Sequence, residues 1–526
     1  MKSNITNDTP ISFVRGAEFP FQRRRILRYR ENIKIFEGQH FEVFEKWNSS
    51  RKLYVYANLA GIICKKSADF LFGEEAIITA GTGDSTPEAE AIERLVTENY
   101  LGQECYEAAL SASVMGDAFF RIRYGQEYGG ELPADLDPFR IFIENISAID
   151  VFPEVNPMNR KQIKAYHLCV PCYNPETEDW TLQCESHYAG FIQYHSYELE
   201  PQTTDIDGIV ETWKIGSPIG DMEVQQTGVP CPLIVHVPNT GRELTWEGLD
   251  DLSEHKAIFD ELNNRLSQIA SILDKHADPA MAVPTGLLAE DEQGRPYFRV
   301  ARDKVFEVLG KDDIIPQYIT WNGNLQEAMT ELDKLVEMLL IAAEIPPIAL
   351  GMNDSGTSGS SGLSIKFRMQ SLLSKVNRKK LYFNKGVVTV LYIAQMLEKS
   401  LGIADYEPVR PKIVFKDGLP VDSLQEVNEM NVRTGGMPTI SRKTALMRLD
   451  NLTEAQADAE IEKIMQEQEE MLKMADPTAF QTPSSGEEEE EEQEPPKDEK
   501  DAVEQQKEKT DDADEFGGYD PKKDGI

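Results

Sequence analysis

A polar, glycine-rich loop between two long helical patterns is the feature that most limits what this chain can fold into. The stretch from Glu344 to Phe367 reads EIPPIALGMNDSGTSGSSGLSIKF. An apolar helical pattern ends at Pro346-Pro347, and a second long pattern begins near Leu363. The loop between them is too polar to bury a core, but it can follow the surface of a moving partner. The pattern therefore predicts a structural component of a molecular assembly rather than an enzyme.

Two helical patterns enclose a small insert just before that loop. Apolar residues recur on one side of Leu249–His276 and of Leu325–Ala343, and residues 280–323 include the strand-like run YFRVARDKVFEVL. Asp250 or Asp251 is suited to cap the first of these helices. The order helix, insert, helix predicts an antiparallel pair with a small mixed domain at its end.

The remaining patterns predict helices towards both ends of the chain and a β-rich region between residues 117 and 238. Leu363–Ser400 predicts one helix of about 55 Å, which Gly386 could kink. The other expected helices are Phe21–Trp47, Tyr54–Phe72, Ala91–Met115, Asp422–Val432, Ser441–Leu449 and Thr453–Met474. The expected strands are Asp117–Tyr124, Arg140–Phe152, Gln162–Val170, Thr181–Glu185, Gly190–Glu198, Ile209–Lys214 and part of Pro411–Leu419.

The chain of 526 residues is strongly acidic, with a formal net charge of −37. Residues 487–526 hold 18 acidic and 6 basic side chains, which is −12 of that total. Beyond Pro477 the sequence is acidic and of low complexity, which predicts disorder. Because affinity for phosphate comes from Lys and Arg, this charge argues against a protein that wraps nucleic acid tightly. It is compatible with a protein past which DNA slides.

Neither a membrane span nor a signal peptide is expected from the sequence. It contains no apolar run of about 18 residues, and residues 1–30 lack the apolar region of a signal peptide. The six cysteines are scattered along the chain, as in a reduced cytoplasmic protein, and we expect no structural disulfide.

The glycine-rich loop is close to a phosphate-binding motif but lacks its central residue. Residues 351–358 fit G-x4-G-x-S, but Thr357 occupies the position of the lysine that contacts the phosphates. A phosphate-binding loop also follows a strand, whereas this loop follows a helix and two prolines. We therefore expect no nucleotide and no other cofactor.

Four residues have the types and the order of a zinc site. Cys169, Cys172, Cys184 and His187 follow the spacing C-x2-C-x11-C-x2-H. However, residues 166–173 read as a strand, on which Cys169 and Cys172 would point to opposite faces. We therefore expect buried thiols rather than a metal site, and no catalytic residues. A zinc- or metal-dependent hydrolase is the alternative of a different class.

The helix predicted after the loop is basic in an otherwise acidic chain. From Leu363 to Leu397 there are seven basic residues and no acidic residue. At 100° per residue, five of the basic residues share one side of the helix, within about 120° of arc. They either pair with acidic helices of the same or a neighbouring subunit, or face a polyanion such as DNA. These five are Arg368, Lys375, Arg378, Lys379 and Lys385.

Taken in order, these parts resemble the portal proteins of tailed bacteriophages, of the long-tailed, Gram-positive-type phage portal family. The resemblance covers residues 20–475. Ile345-Pro346 and the run Ser361–Lys366 are similar to the family signature "iP … SG-x-A-[LI]-K", with Ser364 in place of alanine. The other matching segments are Tyr29 with Glu37–His40 ("Y…G-x-H"), Ala60–Gly73 (a helix ending in "yl-x-G") and Pro238-Asn239 before the Leu249 helix.

The resemblance implies an α+β portal fold, assembled as a ring, with a helical stem, a small mixed clip, an α/β wing and a helical crown. The implied parts are the wing with an N-terminal arm (1–248), stem helix 1 (249–278), the clip (279–323), stem helix 2 (324–345), the tunnel loop (346–362), the long wing helix and strand (363–420), the crown (421–475) and a disordered acidic tail (476–526). In the tunnel loop, the residues expected to face DNA are Asn353, Asp354, Ser355, Gly356, Thr357 and Ser358.

The resemblance also implies the partners and the location. A ring, usually of twelve copies, would occupy one capsid vertex of the virion after assembly in the host cytoplasm. Its partners would be the terminase large subunit, which carries the ATPase, the head–tail connector or adaptor, and the major capsid and scaffolding proteins. Double-stranded DNA would pass through the channel during packaging and ejection, without catalysis by the ring. The runner-up is another virion ring such as a head–tail adaptor, although adaptors are usually much smaller.

Overall fold

The chain adopts a mixed α/β fold, in a computed structural model, in which helices pack against antiparallel sheets. It divides into two compact units, Met1–Glu429 and Met430–Ile526. The structure describes residues 12–14, 23–44, 53–81, 86–129, 132–133, 135–177, 179–204, 210–277, 281–282, 289–290, 293–294, 296–297, 317–318, 325–352, 362–416, 418, 423–435, 438–450, 452 and 454–474. The predicted acidic tail lies outside these residues.

The helices are α1 (Arg23–Phe36), α2 (His40–Phe44), α3 (Leu59–Phe72), α4 (Pro87–Glu98), α5 (Leu101–Met115), α6 (Lys256–Ala277), α7 (Leu325–Ala342), α8 (Gly362–Arg368), α9 (Gln370–Ser400), α10 (Ser423–Thr434), α11 (Arg442–Leu449) and α12 (Glu454–Met474). None of these described helices combines the length and the hydropathy that a bilayer-spanning segment needs.

The strands are β1 (Ser12–Val14), β2 (Ile77–Thr79), β3 (Asp117–Gly125), β4 (Arg140–Ile146), β5 (Val151–Asn156), β6 (Asn159–Asn174), β7 (Asp179–Tyr188), β8 (Phe191–Thr204), β9 (Val210–Gln226), β10 (Ile234–Pro238), β11 (Met281–Ala282), β12 (Ala289–Glu290), β13 (Pro296–Tyr297), β14 (Gln317–Tyr318) and β15 (Lys412–Val414). The two largest sheets have the orders β1-β9-β8-β7-β6-β5 and β10-β3-β4.

The first two helical patterns form shorter helices than predicted. The pattern predicted from residue 21 to residue 47 contains α1 and α2, separated at Gly38, whose φ of +86° is left-handed. The helix predicted from Tyr54 begins only at Leu59, because the side chain of Asn58 accepts a hydrogen bond from the amide of Gly61 at 3.0 Å and caps the helix there.

Two predicted elements are each divided in the structure. The helix predicted over residues 91–115 is α4 and α5, because Tyr100 between them has a left-handed φ of 47°. The strand predicted over residues 140–152 is β4 and β5, which belong to different sheets. The chain turns between them, where the amide of Asp150 donates to the carbonyl of Ser147 at 3.1 Å.

The main core lies where α1, α3, α5 and α9 pack against β3, β4 and β10. Phe119, Phe120 and Phe383 are completely buried in it. A Cβ at Gly386 would lie 2.3 Å from Cγ2 of Val237, so glycine permits the close approach of α9 to β10. α9 continues through Gly386 without interruption, and the predicted helix is divided at Met369.

The helix–insert–helix pattern is confirmed with one change at its start. A 3₁₀ turn, Ser253–His255, leads into α6, and α7 ends at Ala342. The described parts of the insert form two short antiparallel pairs, β11 with β14 and β12 with β13.

The second unit contains α11 and α12, close to the predicted bounds. The hydroxyl of Ser441 accepts a hydrogen bond from the amide of Thr444 at 3.1 Å and caps α11. Lys443 pairs with Asp458 of α12 at 2.8 Å.

Candidate functional site: the three-helix junction

Three helices of the first unit meet at one buried point, which we call the three-helix junction. It contains Asp251 before α6, Ala343 after α7, and Lys375 and Lys379 of α9. The start of α6 and the end of α7 therefore lie at the same end of the pair. Since the two helices also contact each other, they run antiparallel, and this prediction from the sequence is confirmed.

Two adjacent aspartates before α6 have different roles. Oδ1 of Asp250 accepts hydrogen bonds from the amides of Leu252 at 3.1 Å and Ser253 at 2.5 Å, so Asp250 stabilises the turn that leads into the helix. The amide of Asp251 donates to the carbonyl of Ser113 at 2.8 Å, which directs its side chain away from that turn and into the junction.

Asp251 is the centre of the junction. Its carboxylate accepts hydrogen bonds from Nζ of Lys379 and from the hydroxyl of Ser113, and Nζ of Lys375 lies 3.4 Å from Oδ1. Nδ2 of Asn239 donates to the same Oδ1 at 3.3 Å. The side chain of Asp251 is 9% exposed and its partners are buried, so the interactions are little screened by solvent.

The charges of the junction do not balance. Burial would raise the pKa of Asp251, but the ammonium groups of Lys375 and Lys379 and the hydrogen bonds from Lys379 and Ser113 outweigh it and hold this pKa far below its ordinary value. Burial lowers the pKa of Lys379, and Asp251 offsets this only in part because Lys375 lies nearby. The single carboxylate of Asp251 thus pairs with the buried amino groups of both Lys375 and Lys379.

Lys375 connects the junction to the segment that follows α7. Its Nζ donates a hydrogen bond of 3.1 Å to the carbonyl of Ala343. The helix ends there in a Schellman motif, in which the amide of Ile345 donates to Leu340 at 2.9 Å and that of Glu344 to Ile341 at 3.1 Å. Lys375 therefore satisfies a carbonyl at the end of α7 and holds that end against α9.

Glu344 occupies the left-handed position of this motif, where glycine is usual. Its φ is 59°, which costs a residue with a side chain about 1–2 kcal/mol. Nη2 of Arg378 donates to both carboxylate oxygens of Glu344, at 2.6 and 2.7 Å. The side chain that makes this conformation costly thus also holds α9 against the segment after α7.

The predicted tunnel loop starts at this support. Pro347–Leu350 forms a 3₁₀ turn, Gly351 follows with a left-handed φ of 71°, and the chain is described again from Gly362, where α8 begins. The loop residues predicted to face DNA, Asn353, Asp354, Ser355, Gly356, Thr357 and Ser358, lie outside the described residues.

The basic stripe predicted on the long helix does not behave as one surface. Lys375 and Lys379 are buried and pair with Asp251 of the same chain, which agrees with the alternative of pairing within the subunit and not with a surface that faces a polyanion. Arg378 pairs with Glu344 of the same chain. Arg368 is half-buried and Lys385 is exposed, and for these two the expectation stays a prediction.

The four residues with zinc-like spacing do not converge. Cys169 is buried and Cys172 is exposed, on opposite faces of β6, as the strand pattern predicts. Cys184 is the cross-strand neighbour of Cys169, while His187 contacts Glu185 at 3.2 Å. Among the described residues no group of three His, Cys, Asp or Glu side chains is arranged to hold a metal ion.

The sequence did not indicate a second buried network, centred on Asp117. Its carboxylate accepts hydrogen bonds from the hydroxyl of Tyr29 and, at 2.7 Å, from the amide of Gly248, and Nε2 of His236 lies 2.6 Å from Oδ1. Asp117 and Tyr29 are completely buried. Tyr29 stood out in the sequence only as part of a family motif, because its partners lie about 90 to 210 positions away in the chain.

Comparisons with known proteins identify one family. The model of the family described as "Phage portal protein, SPP1 Gp6-like" matches residues 22–474. No curated protein matches the chain. Among solved structures, a chain from the neck of an empty gene transfer agent particle is 11% identical, with a TM-score of 0.45 over 80% of this chain and 93% of its own. A chain from the virion of a native gene transfer agent particle is 10% identical, with a TM-score of 0.40 over 78% and 98%.

Proposed function

This chain belongs to the SPP1 Gp6-like family of phage portal proteins, and we propose that it forms the ring at one capsid vertex through which DNA is packaged and ejected. Proteins of this family are structural components of the virion and not enzymes. In the proposal, the ring also provides the docking platform for the terminase large subunit and the head–tail connector. The major capsid and scaffolding proteins would surround it.

The observation that carries the proposal is the three-helix junction. Asp251, Lys375 and Lys379 hold the start of α6 and the end of α7 against α9, and the segment that leads from α7 towards the loop is described from there to Met352. A buried, hydrogen-bonded ion cluster resists displacement because any separation exposes unpaired charges to a low dielectric. We expect the loop to change its conformation from this fixed starting point, as a valve requires.

The antiparallel pair of α6 and α7 supports the assignment of residues 249–278 and 324–345 as the stem. Near the junction their apolar residues are buried, as Phe259, Leu262 and Leu339 show. Farther along the pair Leu273 and Met329 are exposed, as is Ile341 on another side of α7. Exposed apolar stripes of this kind mark surfaces for association. Neighbouring copies would cover them, and residues 279–323, at the end of the pair, would form the clip.

The charge of the chain favours passage over binding of DNA. Each copy carries −37, and a ring would multiply that charge around its axis. Such a surface repels the phosphate groups of DNA. It does not displace the counterions of DNA, so counterion release does not favour binding. A loop of Gly, Ser, Thr, Asn and Asp could touch a duplex without holding it. The wing (1–248 with 363–420), the crown (421–475) and the tail (476–526) complete the proposed division.

A packaging assay with a shortened loop tests the proposal. Deleting residues 355–361 removes no described contact, so the variant should fold and form rings of unchanged size in native mass spectrometry and electron microscopy. It should package or retain DNA poorly when mixed with intact terminase. A deletion of equal length beyond residue 500 is the control. Wild-type protein that stays monomeric or dimeric at micromolar concentration would contradict the ring, and normal packaging by the shortened variant would contradict the valve.

A further inference from the structure

A groove with a basic rim lies beside β10, on the face that α9 covers. Its volume is about 670 Å³, within the range of about 300–1,000 Å³ in which proteins bind small ligands or inserted side chains. Trp246, Tyr166 and Tyr382 provide aromatic walls, and the thiol of Cys231 lies in its lining.

Three cations line this groove in a chain that is otherwise acidic. Lys161, Arg242 and Lys385 form no ion pair with any carboxylate that the structure describes. Nε of Arg242 is buried without a hydrogen-bond partner among the described residues. Glu243 is the single acidic residue of the lining. Aromatic walls with an uncompensated basic rim fit a ligand that combines apolar side chains with carboxylates.

The hairpin loop between β3 and β4 has the complementary chemistry. Residues 126–139 read QEYGGELPADLDPF, with four acidic residues and no basic one. Leu136 is 70% exposed, and Tyr128, Leu132 and Phe139 are also exposed. Large exposed apolar side chains clustered on one loop mark an interaction site.

Contacts between its described residues join the two ends of this loop. The buried carboxylate of Asp137 accepts hydrogen bonds from the amides of Glu127 at 3.0 Å and Tyr128 at 2.9 Å. The ring of Phe139 packs on that of Tyr124, with centroids 5.5 Å apart. A preorganised loop loses little conformational entropy when it binds.

Among the described residues, no hydrogen bond or ion pair joins the loop to the groove of its own chain. β10 pairs with the first half of β3, from Asp117 to Arg121, whereas the loop follows Gly125 at the other end of that strand. The loop and the groove are thus separate surfaces that complement each other, and repeated head-to-tail contact between two different surfaces builds a closed ring when the rotation closes.

We propose that the β3–β4 loop of one copy inserts into the groove of the next copy, with Leu136 and Phe139 against the aromatic walls and Asp135 facing Lys161, Arg242 and Lys385. The partner of the groove is therefore a second copy of this chain. The inference rests on the proposed ring and adds the two surfaces that join its wings. Because the proposed contact includes charge pairs, assembly of the ring should weaken as the salt concentration is raised.

Disulfide trapping tests this contact with a cysteine that the groove already contains. In a Cys172→Ser background, Leu136→Cys places a thiol on the exposed loop. Mild oxidation of the assembled protein at alkaline pH should link it to Cys231 of the next copy and give a ladder of covalent oligomers on a denaturing gel. Adding Cys231→Ser should abolish the ladder. Met158→Cys, at a position 93% exposed on the β5–β6 turn, is the matched control and should give no ladder.

The outcomes separate this inference from the proposed function. Rings of normal size without a bond between the introduced thiol at position 136 and Cys231 would overturn the inference and leave the portal ring intact. If wild-type protein forms no rings, both fail. Suppression of the bond by short duplex DNA would identify the groove as a nucleic-acid site and also overturn the inference. As a second measure, the double variant Arg242→Glu, Lys385→Glu should weaken assembly about tenfold or more, since like charges would then face each other. Unchanged assembly would count against the contact.

Discussion

Arg378 binds both carboxylate oxygens of Glu344, at 2.6 and 2.7 Å, while the backbone of Glu344 is left-handed with a φ of 59°. The two facts are related. Glycine would adopt this conformation at lower cost, but it has no carboxylate for Arg378 to bind. Compared with glycine, Glu344 makes the backbone conformation before the loop 346–362 less stable, but it provides a contact with α9. We interpret Glu344 as a residue that positions the base of the loop.

Arg378→Ala should loosen this base more than it destabilises the protein. The pair is partly exposed, so its loss should cost at most about 1 kcal/mol in the free energy of unfolding. Amide hydrogen exchange at Glu344 and Ile345 should accelerate. In a Glu344→Gly background, which removes both the backbone cost and the carboxylate, Arg378→Ala should have no further effect on exchange. An equal acceleration in both backgrounds would show that Arg378 acts through another partner.

Asp251→Asn should be among the most damaging single substitutions of a polar residue. It leaves Lys375 and Lys379 buried with no carboxylate, and breaking a buried pair in this way costs about 3–5 kcal/mol. Asp250→Asn is the comparison one residue earlier, because it keeps an oxygen that accepts from the amides of Leu252 and Ser253 and removes only the longer ion pair with Arg28, at 3.7 Å. Urea unfolding would measure both. Adding Lys379→Met to Asp251→Asn should recover part of the loss, and equal effects of the two asparagine variants would refute this view of the junction.

Gly386→Ala should destabilise the packing of α9 on β10. The new Cβ would lie 2.3 Å from Val237, and overpacking of a core costs about 1–3 kcal/mol, more than the gain of about 1 kcal/mol in helix propensity. Val237→Ala should relieve the clash, so a double-mutant cycle should show a favourable coupling of about 1 kcal/mol or more. Gly102→Ala in α5, where the nearest atom lies 3.9 Å away, should be neutral or stabilising.

Stability should fall as the pH is lowered from 6.5 towards 4 because of His167. Burial, together with the nearby His187 and His195, lowers the pKa of His167 from 6.5 to about 4. In this interval the unfolded chain binds the proton more strongly than the folded chain, so protonation favours unfolding. The contribution of His167 reaches about 3 kcal/mol at the acidic end.

His167→Asn tests this prediction. It should reduce the slope of unfolding free energy against pH by up to about 1.4 kcal/mol per pH unit in that interval. Chemical unfolding of wild type and variant at several pH values would measure the slopes. Parallel curves would mean that His167 is not the group that takes up the proton.

The sequence by itself determined the features that depend on near neighbours along the chain. The helix–insert–helix order and the opposite faces of Cys169 and Cys172 follow from periods of 3.6 and 2. These follow from local covalent geometry, so a pattern of residue types is sufficient to predict them. The limits of such patterns are visible at Tyr100 and Met369, where no residue type marked the break.

Only the tertiary structure decided what the charged residues do. Lys375 and Lys379 belong to the same basic stripe as Lys385, yet they are buried and it is exposed. Lys375 and Lys379 differ from Lys385 because folding brings Asp251 next to them, although Asp251 is 128 positions from Lys379 in the chain. Asp117 likewise meets Tyr29 and His236 only after folding. Burying a charge is favourable only where an opposite charge is brought to it, and which segments come together depends on the packing of the whole unit.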